Sequence, residues 1–121
     1  MKPDDLFNLL ADPTRLRALM LIEAEGEVCV CEFTFALGES QPKISRHLAL
    51  MREAGIVESR REGTWMHYRL SHDLPSWSKE VLSQVLQQIH GLSPYKNDMK
   101  QLKKMPNRPI SKGRTRCLAN Y

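Results

Sequence analysis

Apolar residues recur three and four apart through the first half of the chain, and the pattern breaks at helix-ending residues. Leu6, Leu9 and Leu10 predict a short amphipathic helix. Asp12-Pro13 opens a second, since Asp is a good N-cap and Pro is pre-shaped for the first helical position. Leu16, Leu19 and Met20 continue that helix until Gly26. A third, shorter helix is predicted from about Cys29, carrying Phe33, Ala36 and Leu37 before Gly38. Ser40 stands as N-cap of a fourth, with Pro42 in the first turn, where amides need no internal partner. Ile44, Leu48 and Met51 form its apolar stripe, and Gly55 suits a left-handed C-cap. Two helices parted only by a Gly-containing turn from Leu37 to Gln41 fit a helix-turn-helix.

The period then changes from helical to strand spacing. Thr64, Met66, Tyr68 and Leu70 alternate with Trp65, His67 and Arg69. Val57 to Arg61 is the expected partner strand and Glu62-Gly63 the expected turn, so a β-hairpin wing follows the helix-turn-helix. A last long helix is expected from about Pro75 to Gly91, with Trp77, Val81, Val85, Ile89 and Leu92 near one side. Lys96 to Tyr121 is rich in Lys and Arg, with Pro106, Pro109 and Gly113 and few apolar residues. The expected organisation is one folded domain over 1–92, mainly α with a β-hairpin (α+β, a winged helix-turn-helix), and a flexible basic tail over 93–121.

Composition narrows the function classes modestly. A chain of 121 residues with 41% hydrophobic and 26% charged positions suits one globular domain. The net charge of +4 permits a polyanionic partner without demanding one. The acidic start Met1-Lys2-Pro3-Asp4-Asp5 does not resemble a secretory signal, no stretch approaches a membrane span, and three cysteines are too few for a disulfide scaffold. A cytoplasmic chain with reduced thiols and no membrane partner is expected. There is no Gly-rich phosphate loop, Ser/His/Asp arrangement or carboxylate pair in a plausible cleft, so no enzyme is expected.

Lys43 and Arg46 fall opposite the apolar stripe of the fourth helix, flanked by Gln41, Ser45 and His47, with Ser40 at the cap. Arg and Lys pair with guanine edges or phosphates, Gln with adenine and Ser with either, and recognition helices meet bases through their N-terminal half. Arg60, Arg61 and Arg69 of the hairpin are candidates for backbone phosphates alongside. Two charged residues on a helix would ordinarily be a solvated face; the turn before and the wing after favour double-stranded DNA. His47 is equally suited to packing.

The segments Ala11 to Arg17 (ADPTRLR), Ser40 to Leu48 (SQPKISRHL), Arg52 to Val57 (REAGIV) and Arg61 to Leu70 (REGTWMHYRL) resemble the signature segments of the ArsR (ArsR/SmtB) family over about residues 5–92. The resemblance implies a homodimer built on the first and last helices. It further implies binding to an inverted-repeat operator, with release when a metal or metalloid binds.

Glu27-Val-Cys29-Val-Cys31-Glu32 is the informative oddity. With Cys29 as N-cap and Glu32 at N3, the frame is a capping box in which Cys replaces Ser or Thr, a poor exchange for an oxygen cap. Helix N-termini favour thiolates, which select soft metals and metalloids. Residues two apart in a helix point roughly 200° apart, so joining both sulfurs to one atom is expected to unwind the first turn, directly before the recognition helix. The plain alternative is a pair of small buried hydrophobes. The stretch resembles the metalloid box of arsenic-responsive ArsR proteins, which implies As(III) or Sb(III) as inducer bound by Cys29 and Cys31. Many such proteins carry a third cysteine where this chain has Thr34, leaving the third ligand to Cys117, an external thiol or a solvent oxygen. The paired Asp/His pattern of the family's zinc-type sites is absent from the last helix, where His90 stands alone. Oxidation of Cys29 with Cys31 or Cys117, in a redox-responsive repressor of the same fold, is the rival reading.

Overall fold

Asp12 accepts a hydrogen bond from the Arg15 amide at 3.0 Å and so starts the helix around which the rest packs. This helix, α2 (Pro13–Glu25), buries Ala18, Leu19, Met20, Leu21, Ile22 and Ala24, apolar on nearly every side as befits a central element. The computed structural model describes residues 1–109. Before α2 lies α1 (Pro3–Leu10), and after it a two-residue strand β1 (Val28–Cys29) runs straight into α3 (Val30–Leu37). Gly38, at φ 68°, turns the chain into α4 (Gln41–Glu53), whose cap Ser40 accepts from the Lys43 amide at 3.4 Å. Then come the hairpin strands β2 (Val57–Glu62) and β3 (Trp65–Leu70), then α5 (Ser76–Ile89) and α6 (Tyr95–Lys103).

The winged helix-turn-helix expected from the sequence is thus present, with three differences. The hairpin turn is Gly63-Thr64, one residue later than expected, because Glu62 still pairs with Trp65 and Gly63 takes the positive φ of 63° that a tight two-residue turn requires. The sheet has three strands in the order β1-β3-β2, with Val28 opposite Tyr68 and Cys29 opposite His67. Two residues are too few to leave a periodic signal, so β1 was not legible beforehand.

The third difference corrects the expected flexible tail, which begins at 93 in the sequence reading. Residues 95–103 form α6 instead, with Leu102 and Asp98 buried. Asp98 takes a two-pronged ion pair from Arg17 of α2, at 2.8 and 2.6 Å. Arg17 also donates to the Leu37 carbonyl at 3.1 Å, which satisfies one open carbonyl at the end of α3. Beyond α6, Arg108 pairs with Glu25 and with buried Glu32. The sparse apolar residues of this segment hid a helix that packs Tyr95, Met99 and Leu102 on the core and adds an ion pair to α2.

Removing Arg17 leaves the Asp98 carboxylate buried without that partner. Arg17→Ala is expected to cost about 3 kcal/mol, near the low end for breaking a buried ion pair. Urea unfolding checks this; an unchanged midpoint would contradict the pairing.

Candidate functional site

Cys29 is the N-cap of α3, with extended backbone angles (φ −82°, ψ 152°). Glu32 holds that geometry, its fully buried carboxylate accepting the Cys29 amide at 2.8 Å, the reciprocal half of a capping box. Because Cys29 belongs to strand geometry, its side chain leans back over the first helical turn. Its sulfur therefore meets that of Cys31, at a separation of 3.3 Å. This corrects the expectation that joining the two sulfurs must unwind the helix: the 200° argument assumed both residues to be helical, and only Cys31 is. The pair is assembled before any ligand arrives.

Cys31 is also not the ready thiolate expected at a helix N-terminus. Burial pushes the Cys31 thiol up to about 12, helped by its hydrogen bond to the Cys29 sulfur and by the negative Glu32 nearby. Cys29 is buried and Cys31 half-buried. Thr34 is committed locally, its hydroxyl donating to the Cys31 carbonyl at 2.9 Å. Among the described residues no group of three His, Cys, Asp or Glu side chains is arranged to hold a metal ion, so the pair offers two ligands of a set. Cys117 lies outside the described residues.

A cleft of about 410 Å³ opens beside the sulfurs. Its walls are Cys29, Cys31 and Thr34, then Gln41 and Ser45 of α4, and Thr64, Trp65 and Met66 of the hairpin. Trp65 is 44% exposed, whereas Tyr68 is buried and Trp77 half-buried. One space thus touches the thiols and both halves of the expected DNA-reading unit.

On α4, Ser40, Gln41, Ser45 and Arg46 are exposed together, while Lys43 is half-buried beside Glu39 at 3.1 Å. His47 turns away from that face toward Asp12, at 3.9 Å, and burial lowers its pKa despite that neighbour. On the hairpin Arg61 is exposed and Arg69 pairs with Glu58 at 3.2 Å. Arg60 bends the other way. It donates to Glu27 at 3.2 Å and to Glu62 at 3.0 Å, and these hydrogen bonds, Glu27 first, raise its pKa. The guanidinium assigned to phosphates from sequence is therefore occupied beneath the hairpin. Buried Glu27 and His67, which lie beside the thiol strand, carried no signal in the sequence, since charged and polar residues read as surface unless a partner is visible.

Residues 12–59 match the family model described as "Bacterial regulatory protein, arsR family". An arsenic resistance transcriptional regulator of Pseudomonas putida is 49% identical over 108 residues, spanning 89% of this chain and 92% of the relative. This chain belongs to the ArsR family. The arsenical resistance operon repressor of Escherichia coli is 50% identical over 82 residues, 68% of this chain and 70% of the relative. Among solved structures, a homodimeric winged helix-turn-helix DNA-binding domain from Mycobacterium bovis superposes with a TM-score of 0.59 at 26% identity, covering 74% of this chain and 83% of that one. The chain is thus a transcriptional regulator and not an enzyme.

The raised pKa makes a direct prediction. Alkylation of Cys31 by iodoacetamide should be slow at pH 8 and climb about tenfold per pH unit through pH 10. Peptide mass spectrometry of timed samples reads the rate, and a plateau already near pH 8 would contradict a protonated thiol.

Proposed function

We propose that this protein is a metalloid-responsive repressor that holds an inverted-repeat operator and releases it when trivalent arsenic or antimony binds Cys29 and Cys31. The observation that carries the reading is the preassembled sulfur pair in a cleft bounded by the recognition helix and the wing. With bonds of about 2.3 Å, the length of a zinc–thiolate bond, the 3.3 Å separation corresponds to an angle of about 92° at the bound atom. That suits the pyramidal geometry of a trivalent metalloid. A tetrahedral zinc ion with the same bonds would want sulfurs about 3.8 Å apart.

Proton balance favours the same class. Arsenous acid is neutral, and each thiol that replaces one of its hydroxides gives that hydroxide its proton, so water leaves and no net charge enters the site. A protonated Cys31 is suited to this exchange, whereas a divalent cation must first displace the proton. The third bond is open to Cys117, an external thiol or a solvent oxygen.

Gln41, Ser45 and Arg46 are the proposed base-reading residues of α4, with Ser40, Lys43 and Arg61 toward phosphates. The proposed homodimer uses α1 and α5: Phe7 and Leu92 are 55% and 57% exposed, and Trp77, Val81, Val85 and Ile89 are left half-buried along α5.

Fluorescence anisotropy of an inverted-repeat promoter fragment tests the reading. Wild type should bind and be released by micromolar arsenite, with Cys29→Ser and Cys31→Ser bound throughout. Release by hydrogen peroxide and not by arsenite would transfer the function to thiol oxidation. Arg46→Ala should weaken operator binding by about 1–3 kcal/mol without changing the arsenite midpoint; equal affinity would remove α4 from base reading.

A further inference from the structure

The sensing reading leaves open how occupied thiols reach the wing. In the sheet Cys29 lies directly opposite His67, and His67 lies directly opposite Arg60. Directly opposed residues share a face, and residues two apart on a strand share it again. Glu27, Cys29, His67, Arg60 and Glu62 therefore lie on one face of the sheet. Glu27 and His67 are fully buried there, and Arg60 joins Glu27 to Glu62.

The His67 ring is set between the two carboxylates without bonding either. Its Nδ1 is 3.8 Å from Glu27 Oε1 and its Nε2 is 3.7 Å from Glu62 Oε2, and neither nitrogen has a hydrogen-bond partner among the described residues. Buried nitrogens left in this way are costly, and most native structures avoid them. A relative movement of only about 0.7 Å would bring one gap to ordinary hydrogen-bond length. Glu27 precedes Cys29 by two residues, whereas Glu62 belongs to the wing beside its turn. A bond to Glu27 would tie β3 to the residues just before the thiol strand, and a bond to Glu62 would tie it within the hairpin instead.

We propose that His67 is the positioning residue that passes thiol occupancy to the wing, by exchanging a hydrogen bond with Glu27 against one with Glu62. The proposal rests on the sensing reading above and adds its route. A ligand on the sulfurs pulls on the N-cap, which is the last residue of β1, and β1 is hydrogen-bonded to the strand that carries His67. Two discrete arrangements, each biased by the ligand, are what coupling between sites requires.

The test uses full-length His67→Leu, which bonds neither carboxylate, and His67→Gln, which bonds one. Operator affinity is measured by anisotropy with and without arsenite, and bound arsenic is counted by mass spectrometry after gel filtration. Without arsenite both variants should bind the operator within threefold of wild type, which also certifies their fold. His67→Leu should take up arsenite in wild-type stoichiometry and yet lose at least tenfold of the arsenite-driven drop in operator affinity, with His67→Gln in between. A full arsenite response in His67→Leu would overturn the proposal while leaving the sensor intact. Loss of arsenite uptake by His67→Leu would overturn it too, by making His67 part of the ligand site. Absence of arsenite release in wild type would instead sink the sensing reading, and the route with it.

Discussion

The change of backbone geometry at Cys29 is the constraint on which the site depends. A residue that ends a strand and caps a helix must hold extended angles while its side chain overhangs the first turn. Glu32 fixes that geometry from N3, and Arg108 in turn neutralises Glu32. The consequence is two sulfurs in contact without distortion of α3. A thiol pair placed wholly within a helix would have to break hydrogen bonds to share a ligand. Here the cost falls on desolvation of the thiols, visible in the raised pKa of Cys31.

Buried charge recurs around this point and links the elements that the hydrophobic core alone would leave loosely related. Arg17 joins α2 to α6 and to the end of α3, Arg108 joins the segment after α6 to α2 and α3, and Arg60 joins the hairpin to the approach to β1. Such pairs add little net stability over apolar packing, but losing one partner is expensive, so they specify arrangement more than strength. The arrangement specified is a cleft in which thiols, recognition helix and wing share one wall each. The cleft therefore touches α4 and the hairpin as well as the thiols.

Most of the fold was legible because its signals are local. Asp12-Pro13, Ser40 and Gly38 mark helix ends through capping and left-handed geometry, and the alternation from Trp65 to Leu70 announces a strand within six residues. The cap position of Cys29 was legible from the spacing to Glu32, which closes the box from N3. What escaped notice depends on contacts between residues distant in sequence. The two-residue β1 exists only because β3 pairs with it, and α6 is anchored by an Arg17–Asp98 contact across 81 positions. Arg60 carries the right chemistry for DNA but is engaged by buried Glu27, and His47 is half-buried 3.9 Å from Asp12, placements that no periodicity reveals. The two sulfurs meet for a related reason: Cys29 is a cap with extended angles and not a helical residue.

Arsenic K-edge absorption spectroscopy of the arsenite-loaded protein tests the preassembled thiol site most directly. At least two sulfur neighbours are predicted for wild type, with one fewer in Cys31→Ser and an unchanged far-ultraviolet circular dichroism spectrum on loading. An arsenic centre surrounded by oxygen alone, or loading that removes helical signal, would contradict a sulfur pair that binds without unwinding α3.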